Sequence, residues 1–283
     1  MVDRLLIATS AQEALKLKSE SDKNDKKTKN KENKKTIFLA GGTEINRLGS
    51  TQKADTLISI GRIRELDGIT TDGDSVRIGA MCTFQDIIDS DKTPEYLKEA
   101  CRFMGSRTKR NMATIGGNVA LRRTDSYLYA TLLACAAKLE LMSEDGSVQT
   151  KCVCCYLKRH DEFKDMLITA VTVPSNATVY SKRYANTVQS HAVLTVALGK
   201  TPCCEKAGLR LAVAAKDTAL TRLDDISEAL ETRDLTDDEI KKAIENNENL
   251  KFKDDIYGSP EYKRYLLAVT IADLAKKVKG GRA

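Results

Sequence analysis

Two pairs of adjacent glycines stand in similar settings. The first follows Phe38 in the run Leu39-Ala40-Gly41-Gly42-Thr43-Glu44-Ile45; the second lies in Ala113-Thr114-Ile115-Gly116-Gly117-Asn118-Val119. Each pair reads as the turn after a short apolar strand. Without a Cβ, such turns let backbone N–H groups approach an anion closely and point into a concave nest. Thr43, Thr114 and Asn118 add side-chain donors. Two such loops can clasp one pyrophosphate from both sides, which is what a dinucleotide demands. One pair alone reads as a plain β-turn; two of matching form say more.

Other chemistry finds less support. No Gly-x-Gly-x-x-Gly opens a helix and no phosphate-binding Gly-x-x-x-x-Gly-Lys-Ser/Thr occurs, so the site expected here is neither of the Rossmann nor of the P-loop kind. His160 and His191 are the only histidines, and neither Gly-x-Ser-x-Gly nor His-Glu-x-x-His is present, which leaves hydrolysis without a candidate nucleophile or base. Among eight cysteines, Cys152 and Cys155 have the spacing of a metal knuckle, but the other local pair, Cys203 and Cys204, is adjacent. That is poor geometry for a four-thiolate site. Cys152, Cys154, Cys155 and the pair at 203–204 are therefore read as small packing residues, and no metal is expected.

The elements that must position the glycine loops follow from pattern. Ser10 is an N-cap candidate for a first helix, and Thr36 to Ala40 reads as a short buried strand entering the first pair. TLISI, IRELDGITT and SVRIGAMCTF carry β signals, with Asp72-Gly73 as a hairpin turn. Phe84, Ile87 and Ile88, then Tyr96, Leu97 and Ala100, follow helical spacing. Residues 127–137 are helical in length; KLELMS and SVQTKCVC form a second hairpin around Glu144-Asp145-Gly146, which puts the cysteines at 152–155 in a strand. MLITAVTVP ends as a strand at Pro174. Beyond it lie strand-like TVYSKRYA, AVLTVALG and LRLAVAA, a capping box from Thr236 to Glu239, and Ser259-Pro260 opening the longest amphipathic helix.

At 283 residues, with 41% hydrophobic and 30% charged, the chain is neither collagenous nor wholly disordered. It is long enough for two domains. No apolar run approaches the length of about 18 residues that a membrane span needs. The start lacks the order of regions of a secretion signal, so a soluble, cytoplasmic protein with reduced thiols is expected. The net charge of +6 is uneven: residues 22–35 hold seven lysines against Asp22, Asp25 and Glu32, with no apolar residue. That composition reads as a mobile loop over 19–35. No aromatic interleaves with the lysines, so a solvated insertion is preferred to a nucleic-acid contact.

AGGTEIN, TLISIGRIRELDGI, SVRIGAM and ATIGGNVA, in this order, resemble the FAD-binding (medium) subunit of the xanthine dehydrogenase and carbon monoxide dehydrogenase family of molybdenum hydroxylases. DDIYGSPEYKRYLLAV resembles the opening of that family's last helix, so the resemblance covers nearly the whole chain. It implies an α+β protein: a two-subdomain FAD-binding fold of the vanillyl-alcohol oxidase type plus a small α+β C-terminal domain. The FAD-binding domain would take residues 1–176, in subdomains of about 1–56 and 57–176, and the C-terminal flavoprotein domain 177–283.

By the same resemblance, residues 38–45 and 114–118 form the two pyrophosphate loops. Asp125 helps to hold the cofactor, after the stretch LRRT where relatives have an Ala-Ser-Pro-like run. Ile168 packs on the isoalloxazine ring and Lys182 lies near the flavin or its ribityl arm. Met104 and His191 stand where relatives place aromatic residues. The implied function is an FAD-dependent oxidoreductase subunit that relays electrons. An iron–sulfur subunit and a molybdenum-cofactor subunit are its partners, NAD or another molecule is its acceptor, FAD is its only cofactor, and the chain nominates no catalytic acid or base. The rival readings are a free-standing FAD-dependent oxidoreductase of the same fold, a flavin subunit that has lost its cofactor, and a non-redox basic interaction module.

Overall fold

The computed structural model describes residues 2–27, 35–48, 54–201, 208–216, 218 and 220–280. Cys203, Cys204 and most of the second half of the lysine-rich stretch, residues 28–34, lie outside them.

The first unit is a three-stranded parallel sheet. β1 (Arg4–Ile7), β2 (Thr36–Leu39) and β3 (Thr56–Ser59) pair in the order β1-β3-β2, with helices α1 (Ala11–Lys27) and α2 (Thr43–Leu48) as the connections. Parallel strands require such crossovers. Ser10 caps α1 as expected, its hydroxyl accepting from Glu13 N–H at 3.1 Å. Ala11, Ala14 and Leu15 of α1 pack on Ile58 and Ile60 to form a small core. β2 is less buried than its apolar sequence suggests, since only Thr36 is covered fully. The sheet takes in β3, so this unit extends past residue 56.

The expected loop over 19–35 is corrected in its first half, where α1 continues through Lys27. Lysine and glutamate are good helix formers, and one pair within the helix supports the turn: Lys18 Nζ reaches Asp22 at 3.3 Å, and it also reaches Asp165 of a distant segment at 2.7 Å.

The second unit is a five-stranded antiparallel sheet, β4-β5-β8-β6-β7. Its strands are β4 (Ile69–Asp72), β5 (Ser75–Gly79), β6 (Lys138–Met142), β7 (Val148–Cys152) and β8 (Leu167–Pro174). The first hairpin turns on Gly73 and Asp74, one residue later than expected, because Asp72 still pairs with Ser75; Gly73 takes φ +53°. The RELD part of the preceding run is a 3-10 turn, Arg64–Leu66, instead of a strand.

Between β5 and β6 run five helices: α3 (Phe84–Asp89), α4 (Glu95–Arg102), α5 (Arg107–Arg110), α6 (Ile115–Ala120) and α7 (Tyr129–Ala134). Phe84, Ile87, Leu97, Ile115, Tyr129 and Leu139 lie in the main core. After β7 come α8 (Val153–Lys158) and α9 (His160–Phe163), so Cys154 and Cys155 are helical and only Cys152 belongs to the strand.

The third unit is an antiparallel sheet, β12-β11-β10-β9, made of β9 (Thr178–Tyr184), β10 (Leu194–Thr201), β11 (Gly208–Ala215) and β12 (Thr221–Arg222). Period-two alternation decides what each face meets. Ala197, Ala212 and Ala214 join the main core beside α7, while Leu194, Val196, Leu198, Leu211 and Val213 face the helical core on the other side. That second core is completed by α10 (Asp224–Thr232), α11 (Asp237–Glu245) and α12 (Pro260–Gly280). The expected capping box at Thr236 and Glu239 is formed, and Ser259 Oγ accepts from Tyr262 N–H at 3.2 Å at the start of α12.

Candidate functional site

The first glycine pair links β2 to α2. Gly42 adopts φ +68°, a left-handed conformation that side-chain-bearing residues rarely take. Asn46 N–H closes the first helical bond on Gly42 O at 2.9 Å. Among the described residues, nothing accepts a hydrogen bond from the N–H groups of Gly41, Gly42, Thr43, Glu44 or Ile45. A helix leaves its first N–H groups unpaired, and a left-handed residue before it is a feature of anion-binding backbone nests. No residue of α2 is buried, so this row of donors and the half-exposed Ile45 lie at an open surface.

The second pair differs from the expectation. It does not follow a strand as a turn: Gly116 and Gly117 lie in the first turn of α6, which Thr114 caps by accepting from Gly117 N–H at 3.1 Å. Gly116 N–H donates to Ala80 O at 2.9 Å, Ile115 N–H to Cys82 O at 3.0 Å, and Asn118 N–H to Thr114 O at 3.0 Å. Its donors are therefore engaged within the protein. Here the missing Cβ serves packing: one on Gly116 would stand 2.6 Å from the Ala80 methyl carbon. Asn118 Oδ1 accepts from Ser126 Oγ at 2.7 Å and steadies the turn that follows.

The two loops touch. A Cβ on Gly41 would fall onto the carbonyl oxygen of Met112, and one on Gly117 would lie 3.6 Å from the Ala40 methyl carbon. A side chain at Gly41 would collide with the backbone of the facing loop, so this close approach requires glycine. Ala40 and Phe38 also pack against the first core, and the Leu39 side chain comes within 3.3 Å of where a Gly42 Cβ would sit.

A charged cluster spans the same junction. Glu44 of α2 is held by Arg47 at 2.8 and 2.5 Å and by Arg123 Nη1 at 2.5 Å. Arg123 also grips Asp125 with two parallel bonds of 2.7 Å each. Asp125 is 7% exposed; burial alone would raise its carboxyl, but the Arg123 fork outweighs this and holds it below the usual range. Glu44 is lowered too, first by its bond from Arg47. The turn that delivers Arg123 has Arg122 at φ +49°, within the LRRT stretch.

His191 completes the cluster. Its Nδ1 stands 3.4 Å from Asp125 Oδ2, and its ring is 6.3 Å from that of Tyr127, over which Arg183 lies at 5.3 Å. Burial lowers the imidazole's pKa, against the pull of Asp125. Arg183 donates to Ser190 O and so fixes the segment that carries His191.

The remaining expected residues divide. Ile168 is 6% exposed in β8, one position before Thr169, whose carbonyl accepts from Ala80 N–H at 2.9 Å. That places it beside the strand end on which Gly116 rests. Met104 is buried in the main core, and its carbonyl accepts from Arg110 at 2.7 Å. Lys182 is not brought to the cluster. It shares a face of β9 with Tyr180 and Tyr184, which pack on the helical core, and its Nζ lies 5.4 Å from the Tyr184 ring centroid. Arg183, on the opposite face, meets Tyr127 instead. Sequence reasoning missed Arg47, Arg123 and Arg183; the Arg-Arg-x-Asp order of 122–125 was the only signal for any of them.

Five N–H donors without an acceptor among the described residues, three guanidinium groups and a buried carboxylate held ionised by Arg123 fit a pyrophosphate-bearing cofactor.

Comparison with known proteins agrees. Residues 2–176 match the family model described as the FAD binding domain in molybdopterin dehydrogenase. The chain is 30% identical over 243 residues to the uncharacterized protein YgfM of Escherichia coli K12, covering 84% of this chain and 86% of that one. It is 28% identical over 284 residues to the glyceraldehyde dehydrogenase medium chain of Sulfolobus acidocaldarius, covering 96% of each. A chain of carbon monoxide dehydrogenase from Hydrogenophaga pseudoflava superposes with a TM-score of 0.80 at 20% identity, over 100% of this chain and 99% of that one, which shows a shared fold. The chain belongs to the family of FAD-binding subunits of molybdenum-dependent dehydrogenases, and FAD is its cofactor.

Proposed function

We propose that this chain is the electron-transfer subunit of a molybdenum hydroxylase complex, receiving electrons from an iron–sulfur subunit fed by a molybdenum-cofactor subunit. NAD or another soluble acceptor takes them on. The observation that carries the reading is that the N–H groups from Gly41 to Ile45 have no acceptor among the described residues, in a loop whose Glu44 side chain binds Arg47 and Arg123. Bound FAD supplies the chemistry of exchanging electrons singly or in pairs.

The chain's own residues then bind and orient. Backbone donors at 41–45 and the Thr43 hydroxyl hold the pyrophosphate, and Arg47 and Arg123 offset its charge. Asp125, ionised and an acceptor only, suits a sugar or ribityl hydroxyl. The second loop, whose donors are engaged, acts as a rigid wall. Ile45 and the exposed side chains of Met112 and Leu121, at 42% and 44%, offer apolar surface to the flavin. No side chain is needed to move a proton.

The reading takes residues 1–176 as an FAD-binding domain of the vanillyl-alcohol oxidase type and 177–283 as a covering domain, in the cytoplasm. No helix among the described residues is long and apolar enough to cross a membrane. The Sulfolobus relative is named a medium chain and an Escherichia coli relative a FAD-binding subunit, which supports partner chains here.

The test is co-expression with molybdenum-cofactor and iron–sulfur chains of the same family from the same organism. A complex that retains flavin absorbance through gel filtration, and whose flavin is reduced by substrate, is expected. A flavin-loaded chain that associates with neither partner and reduces an acceptor with its own substrate would favour the free-standing oxidoreductase.

A further inference from the structure

Three cysteines crowd the corner where β7 meets α8. Cys152 Sγ and Cys155 Sγ are 2.7 Å apart, and Cys155 N–H donates to Cys152 Sγ at 3.1 Å. The two sulfurs are therefore in direct contact without being bonded, since a covalent S–S length is about 2.05 Å. Both residues are half-buried, within reach of a small reagent. Cys154, between them in sequence, points elsewhere: it lines a small cleft with Leu133, Leu157 and Leu220 and packs against the main core. Positions i and i+3 share a side of a helical turn, and the position between them does not.

The other described cysteines contrast with this pair. Cys82, Cys101 and Cys135 are fully buried, and burial pushes the thiols of Cys82 and Cys135 up to about 12. Neither the proposed electron transfer nor the cofactor cluster uses any of the six.

We propose that Cys152 and Cys155 form a dithiol modification site that hydrogen peroxide converts to an intrachain disulfide. One sulfur attacks a peroxide oxygen as its thiolate; the O–O bond breaks, a first water leaves with the thiol proton, and a sulfenic acid remains. The second sulfur attacks that sulfenic sulfur, the S–O bond breaks, and a second water leaves with the second proton. Two thiols and one peroxide give one disulfide and two waters, the sulfurs losing the two electrons that the peroxide gains. Burial and then the side-chain hydrogen bond with Cys155 raise the Cys152 thiol above its ordinary value. The site does not depend on the flavin reading.

The test uses the full-length protein, reduced and desalted, then treated with hydrogen peroxide, blocked with N-ethylmaleimide and mapped by mass spectrometry. The expected 152–158 peptide is two hydrogens lighter, carries the maleimide at Cys154 alone, and regains two maleimide-reactive thiols after dithiothreitol. In Cys155→Ser the expected product at Cys152 is a sulfenic acid trapped by dimedone, while Cys154→Ser leaves the disulfide yield unchanged. Maleimide on both Cys152 and Cys155 after peroxide, a crosslink through Cys154, or sulfinic acids without a crosslink would each overturn the proposal. The wild-type map decides even if a variant fails to fold.

Discussion

Arg123 holds the Asp125 carboxylate through two parallel hydrogen bonds of 2.7 Å and spends its third nitrogen on Glu44. One side chain thus ties the turn after the second glycine pair to the helix after the first. The planar fork matches a carboxylate in a way that an ammonium group does not.

Replacing Arg123 with Met leaves Asp125 buried without its partner. Hydrogen bonds to charged groups contribute about 1.5–3 kcal/mol, so a loss of about that size is expected in urea denaturation. Arg123→Lys recovers only part of it. An unchanged midpoint in Arg123→Met would show that the fork contributes nothing.

The glycine positions separate by mechanism. Gly116→Ala meets the Ala80 methyl at 2.6 Å and should cost about 1–3 kcal/mol by overpacking. Gly42→Ala, at φ +68°, should cost about 1–2 kcal/mol, and it should also weaken FAD binding by disturbing the donor row. Urea denaturation and fluorescence titration with FAD read the two effects separately.

Thr114 acts as a cap, its hydroxyl accepting from Gly117 N–H at 3.1 Å. Thr114→Ala is expected to lose about 1 kcal/mol of stability, with FAD affinity changed less than in Gly42→Ala. A larger affinity loss than in Gly42→Ala would reverse the roles assigned to the two loops.

Acid should weaken the fold in two stages. The His191 imidazole sits below its unfolded value of about 6.5, so the unfolded chain takes the proton first. Stability therefore falls as the pH drops below about 6.5, and this loss ends once the folded imidazole is also protonated. Asp125 is depressed below its unfolded value of about 3.9; its contribution is complete above that pH and disappears as the pH falls through the folded value. His191→Asn should remove the first stage and keep the second, as read from urea midpoints across the acid range.

Local signals were legible where a single turn decides the outcome. Ser10, Thr236 with Glu239, and Ser259 before Pro260 all cap helices, because the partner of each cap lies within four residues. The two glycine pairs were legible as neighbours. Their difference was not, because the acceptor for Gly116 N–H is Ala80 O, in a distant part of the chain. The lysine-rich stretch misled because composition records solubility and not helical pairing, and Lys18 finds its second partner at Asp165. Lys182 and Arg183 differ by one position in β9, and strand parity sends them to opposite faces. Only the pairing of β9 with β10 settles which of them meets Tyr127.

In the proposed function, the backbone of the first loop holds FAD and the second loop only walls it in. Amide hydrogen exchange of the full-length protein with and without FAD tests it most directly. Amides 41–45 are expected to exchange fast without FAD and to become protected on binding, while amides 115–118, already bonded to Cys82, Ala80 and Thr114, change little. Protection gained at 115–118 with 41–45 unaltered would contradict it.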